Sequence, residues 1–192
     1  MSTRPSLRKK VGQKPARNRD AARFGRQDSG RRGVVTLEFI LAFPVLLIVT
    51  LAVFEFGILV LVNQAVTSSA VEGAREAAKL GTTPDEVAET IQQYLAVHGV
   101  IFTTNGTNAT DPARVTIEGD LVTSDPFMGE RGNTTIPCTP NGSAPTSDEV
   151  RVTVCVNVTN AAGLSPVPDL LETFGFSLQG RVFETSSRTE VE

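Results

Sequence analysis

Glu38 and Glu55 are the only charged residues between Val34 and Val62, a run of 29 residues. A carboxylate at bilayer depth costs roughly 2.5–3.5 kcal/mol on insertion scales, so each must be neutralised, partnered or held at an edge. Other residues able to do chemistry are sparse. His98 is the single histidine and sits near the end of a predicted helix, where it reads as a capping or surface group rather than an acid–base catalyst. Cys138 and Cys155 are the two cysteines, and with one histidine they fit no zinc-site spacing. In an exported domain they read as one disulfide, whereas in the cytosol they would be free thiols. No Gly-rich phosphate loop or nucleophile elbow occurs. The reading therefore assigns no catalytic residue, no metal, no cofactor and no small-molecule substrate. An extracytoplasmic enzyme would need a paired base and nucleophile that this sequence does not offer. Five Asn-x-Ser/Thr sequons, at Asn105, Asn108, Asn133, Asn141 and Asn157, are acceptors in a eukaryotic secreted protein and otherwise mark a Thr/Asn-rich exported sheet. We take the second reading.

The charge that frames these residues is segregated. Residues 1–32 hold 11 of the 18 Lys and Arg and only Asp20 and Asp28 of the acids, a net charge of +9, and the remaining 160 residues carry −12. A basic arm, an apolar run and an acidic remainder fit a membrane protein whose arm lies in the cytoplasm. The arm could hold phosphates electrostatically, but Phe24 is its one aromatic and it carries no nucleic-acid-binding motif, so nucleic acid is not a predicted partner. Phe39 to Phe54 is uncharged, and Ile58 to Val62 extends the apolar run past Glu55. That is enough to span a bilayer and longer than a secretory h-region, with no small-residue cleavage site after it. The segment reads as a retained anchor running from the cytoplasm outward, with residues after about 65 beyond the membrane.

Three segments follow from these patterns: a basic leader, 1–33; a long helix, 34–80, membrane-spanning to about 62; and an extracytoplasmic α+β domain, 81–192. Pro44 should kink the helix without ending it. Ala70, Ala74 and Ala78, with Gly73 and Ala77, set small residues four apart, which admits a close partner helix or the protein's own sheet. Gly81 reads as a helix stop. Thr83, Pro84 and Glu86 form a capping box for a second helix with Val87, Ile91, Tyr94, Leu95 and Val97 on its apolar face. Strands are predicted over 114–119, 149–161 and 176–190, with a short helix over 168–175 and a long loop containing Cys138 between the first two strands. Val150, Val152, Val154, Val156 and Val158 share one parity, so the strand reads as half-buried, with Cys155 on its other face stapling the loop. The fold class is α+β, a long helix continuing into a small antiparallel-sheet domain.

Gly33-Val34-Val35-Thr36-Leu37-Glu38-Phe39, preceded by two arginines, resembles the processing site of type IV pilins and pseudopilins. The wider stretch from Arg31 to Gly81, with Pro44, Glu55-Phe56-Gly57 and the alanine-rich Glu72 to Ala78, resembles the TadE-like family of the tight-adherence (Tad/Flp) pilus system. That resemblance implies a pilin-like fold and cleavage between Gly33 and Val34 by a prepilin peptidase. It further implies assembly with other pseudopilins or pilins through the N-terminal helix, at the bacterial inner membrane. Cleavage would free an amine on Val34 about one turn from Glu38, with Phe39 next to it. An amine and a carboxylate at bilayer depth offset each other's desolvation, so Glu38 would register neighbouring helices. The plainer reading of Glu38 is an interfacial carboxylate. Glu55 has two readings of equal standing, the outer bilayer edge or a polar group of a partner helix. The resulting function is that of a minor pseudopilin assisting pilus assembly. The alternative is a signal-anchored binding or adhesion module that keeps its N-terminus.

Overall fold

The computed structural model describes residues 28–119, 129–140, 142–146, 148–159 and 166–191, with side chains from Val34 onward. The leader before residue 28 and Asn141 lie outside the described residues. The chain divides after Val45 into two units. Helix α1 (Asp28–Ala77) contributes to both and continues through Pro44.

Among the described residues of the first unit, the helix is the one element. Val34, Val35, Leu37, Phe39, Ile40, Leu41 and Phe43 are all at least half exposed. The Phe39 and Phe43 rings, one turn apart, lie 5.6 Å centre to centre. Among the described residues α1 is the one helix long and apolar enough to cross a membrane.

The second unit, from Leu46, is built as the rest of α1, a second helix and one sheet. Helix α2 (Pro84–Ala96) starts on a complete capping box: Glu86 accepts the Thr83 N–H at 2.8 Å, and the Thr83 hydroxyl accepts the Glu86 N–H at 3.4 Å. The strands are β1 (Ala113–Gly119), β2 (Gly129–Gly132), β3 (Glu149–Asn157) and β4 (Val182–Glu190), all antiparallel in the order β2-β1-β3-β4. β3 is central, with Val154 opposite Val115 on one side and Thr185 on the other. Its four valines, and Val158 just past its end, are buried in one core with Val62, Val66, Ala70, Ala74 and Ala77 of α1 and Val87, Ala88, Ile91 and Leu95 of α2. Two helices thus close one face of the sheet.

Several local expectations change. Tyr94 and Val97 are exposed and Ala88 takes their place, because the α2 stripe follows 87, 88, 91 and 95 rather than running to the helix end. The last strand begins at Val182, not 176, since the chain turns at Gly180 with φ +77°. β2 lies inside the segment expected to be loop. Its four residues carry no apolar side chain, and Gly132 takes a left-handed φ of +77° where a Cβ would fall 2.3 Å from the Ala113 carbonyl oxygen.

The largest difference is at β3, which is buried on both faces rather than half-buried. Arg151, Thr153 and Cys155 are covered by the segment 133–146. Arg114 donates to the Thr134 and Ile136 carbonyls at 3.3 and 2.9 Å. Arg151 donates to Ser143 O at 2.8 Å while its Nε meets the Glu118 carboxylate at 2.6 Å, and Arg188 donates to the same Ser143 carbonyl. Arginines on the sheet therefore satisfy the carbonyls of a loop with no ladder of its own.

A second polar knot ties that loop to residues 103–112. Asn133 is buried, and its amide donates to the Ala109 and Asp111 carbonyls at 2.8 and 2.9 Å and accepts from Thr135 N–H at 2.9 Å. Asp111 accepts the Thr103 N–H at 2.6 Å and the Asn108 amide at 2.9 Å. Asn133→Ala strands at least two carbonyls and an N–H, each worth about 1–3 kcal/mol if left unpaired and dry. Allowing for water entry, the expected loss is about 2–4 kcal/mol in denaturant midpoint analysis, with far-UV circular dichroism of the folded state unchanged. A loss under about 0.5 kcal/mol would remove Asn133 from any structural role.

Candidate functional site

The residues expected to act in processing and registration fall on the exposed stretch of α1. Gly33 is the sixth residue of the helix, so the Gly33–Val34 bond is helical in the uncut chain. Val34, Glu38 and Phe39 are exposed, and Glu38 forms no hydrogen bond or ion pair among the described residues. Nothing described in its own unit answers this carboxylate.

Glu55 is different. It is only 2% exposed, although Phe54 and Phe56 beside it are open. Its carboxylate accepts the Leu171 N–H at 3.2 Å, just before the 3-10 turn Glu172–Phe174. Glu55 thus has a partner, and it lies within the same chain. From Ile58 onward α1 packs progressively into the core, and Val62 is 2% exposed. Beside it an open groove of about 530 Å³ is lined by Phe56, Leu59, Val60, Leu178, Arg181 and Phe183 among others.

The small-residue face of α1 is used inside the molecule. Ala70, Ala74, Ala77 and Ala78 are buried, and a Cβ on Gly73 would lie 2.6 Å from Ile91 Cγ1 and 3.4 Å from Val152 Cγ1. Glycine there lets α1 approach both α2 and β3. Cys138 and Cys155 are bonded, with Cα atoms 5.9 Å apart, and pin the covering loop to the centre of the sheet. At the start of β3, the Thr146 N–H donates to Glu149 at 3.2 Å, and this bond, with the Thr146 hydroxyl and Arg188, holds the Glu149 carboxyl below the usual carboxylate range. Among the described residues no group of three metal-ligating side chains converges. His98 is half-buried beside Tyr94 and Val97 at the end of α2.

Two things escaped the sequence reading. One is the docking of residues 167–178 along α1 at Glu55, for which two prolines around Val167 are the only local sign of a fixed segment. The other is the role of Arg114 and Arg151, whose placement on strands gave no hint that a loop would lie over them.

Fold and composition together define a class: a small α+β domain that follows one N-terminal helix long and apolar enough to cross a membrane. Residues 33–75 match the family model of TadE-like proteins, the family that this stretch of sequence resembles. The match lies wholly within α1. No curated protein and no solved structure matches the chain.

Proposed function

We propose that the chain is a minor pseudopilin that assists assembly of a tight-adherence type IV pilus. A prepilin peptidase removes the leader behind Gly33, leaving a single-pass inner-membrane protein with its C-terminal domain outside the cytoplasm. The observation that carries this reading is the Glu38 carboxylate, without a polar partner among the described residues, on an exposed apolar helix five residues after Gly33 at the end of a basic arm. Such a carboxylate is costly in lipid unless a partner supplies a cation. The freed amine of Val34, on the same or a neighbouring subunit, is the cation this arrangement provides. Cleavage requires the helix to open at its second turn. Glycine there lowers that cost by about 1 kcal/mol relative to alanine.

The test is the N-terminus of the protein extracted from membranes of its own host. Intact mass and terminal sequencing should begin at Val34, and Gly33→Leu should accumulate the uncut chain. Wild-type protein retaining residues 1–33 would sink the pseudopilin reading and leave an anchored binding module.

A further inference from the structure

Residues 169–178 leave α1 at Glu55 and return near Leu59 as a closed loop. Asp169 closes its base, accepting the Ser177 hydroxyl at 2.9 Å and the Leu178 N–H at 3.2 Å. Inside, the N–H groups of Phe174 and Phe176 both donate to Leu171 O, at 2.9 and 3.2 Å, and Gly175 takes a left-handed φ of +86°. The loop is thus closed by bonds of its own and tied to α1 through the Leu171 N–H, and yet it turns its largest apolar side chains outward. Leu170, Phe174 and Phe176 are exposed, Phe176 at 67%. Water is a poor environment for three such side chains on one short loop.

Their place along α1 says what covers them. In this unit Leu46, Val49, Val53 and Phe54 are exposed on the helix, Glu55 is buried under Leu171, and Val62 is in the core. From Glu55 one side of the helix is therefore covered, by Leu171 and then by the core, while Phe56 and Leu61 on the other side stay open. Residues 34–54 number 21, and a helical run of that length is about 31 Å, close to the roughly 30 Å of a hydrocarbon core. Arg181 is exposed just past the loop, a side chain suited to lipid phosphates at that boundary.

We propose that residues 170–176 are a membrane-seating loop: Leu170, Phe174 and Phe176 enter the headgroup–acyl boundary of the bilayer that α1 crosses, and Glu55 pins the loop there. The proposal rests on the membrane-anchored reading of α1. It sets the membrane exit at Phe54–Glu55, a turn or more before Val62. An apolar loop lying in the interface plane binds by the same burial as an amphipathic interfacial helix.

The chain contains no tryptophan, so single substitutions report their own depth. The full chain is reconstituted in phosphatidylcholine vesicles brominated either near the headgroup or near the acyl-chain ends. Phe176→Trp and Phe174→Trp should be quenched roughly twofold more by the shallow bromines than by the deep ones, as an interfacial site requires. Phe43→Trp serves as the buried-in-lipid reference, and Val97→Trp, at a position 81% exposed, as the aqueous one. Glu55→Ala combined with Phe176→Trp should lose most of the shallow quenching while the Cys138–Cys155 bond stays intact. If Phe43→Trp is quenched and both loop variants are not, the loop does not meet lipid and the proposal is overturned. Blue-shifted but unquenched loop emission would assign the surface to a second protein copy, overturning it equally. An unquenched Phe43→Trp would overturn the membrane reading of α1 together with the loop.

Discussion

Glu38→Gln is expected to insert and fold as the wild type does and yet to lose assembly. The amide keeps the size and hydrogen-bonding capacity of the side chain while removing its charge, so the helix becomes easier to place in lipid. The folded domain should not notice, since Glu38 makes no contact with a polar partner among the described residues. What the change removes is the attraction to a neighbour's N-terminal amine, and in a dry, low-dielectric setting a lone amine left behind costs several kcal/mol. Cross-linking to partner pseudopilins and the yield of surface pili should fall at least tenfold, since about 1.4 kcal/mol of lost association free energy already gives that factor. Leader cleavage should continue, because Gly33 and its arginines are intact. Wild-type levels of pili and cross-links in the Gln variant would reduce Glu38 to an interfacial residue.

Removing the disulfide should have a large effect on stability. The bond joins residues 17 apart in sequence, and in the chain-entropy account a loop of this size is worth about 3 kcal/mol. Its removal has a second consequence here. The tethered segment is the cover of the sheet's second face, where Thr153 and Cys155 are fully buried. Cys138→Ala with Cys155→Ala should therefore lower the unfolding free energy by about 3 kcal/mol. It should also speed hydrogen exchange at the amides of β3 and β4 more than at α2. Alkylation of the untreated protein should find no thiol. Two labelled cysteines, or an unchanged midpoint in the double variant, would contradict the bond and the exported setting in which it forms.

How much of this could be read from the residues varies by element. Thr83, Pro84 and Glu86 announced the start of α2 because a capping box is a local device, complete within four residues. The valine parity of β3 was equally plain, since alternation over nine residues has one structural meaning. Its other face misled because Arg151 and Thr153 look like solvent-facing residues, and only a distant loop, held by Arg151 and the disulfide, makes them interior. β2 could not be found from Gly-Glu-Arg-Gly, whose pairing to β1 is imposed by its neighbours. The run containing Glu38 was legible as type and spacing, whereas the partner of Glu55 was not. Leu171 is 116 residues away, and a backbone N–H leaves no mark in a sequence.

The burial of α1 also bears on when this protein can fold. Val66, Ala70 and Ala74 share their core with Val150 through Val158, so the native contacts of the helix span about eighty residues of chain. Contacts that distant close slowly, because the entropy of the loop is lost before any packing is gained. If, as proposed, the first half of α1 holds the chain in the bilayer and the domain is exported, the second half crosses with its alanine face uncovered. That face stays uncovered until β3 has followed it through. On that proposal folding is timed by the end of export rather than by its beginning, and during that interval the valine strand and its helix are the surfaces most open to wrong partners.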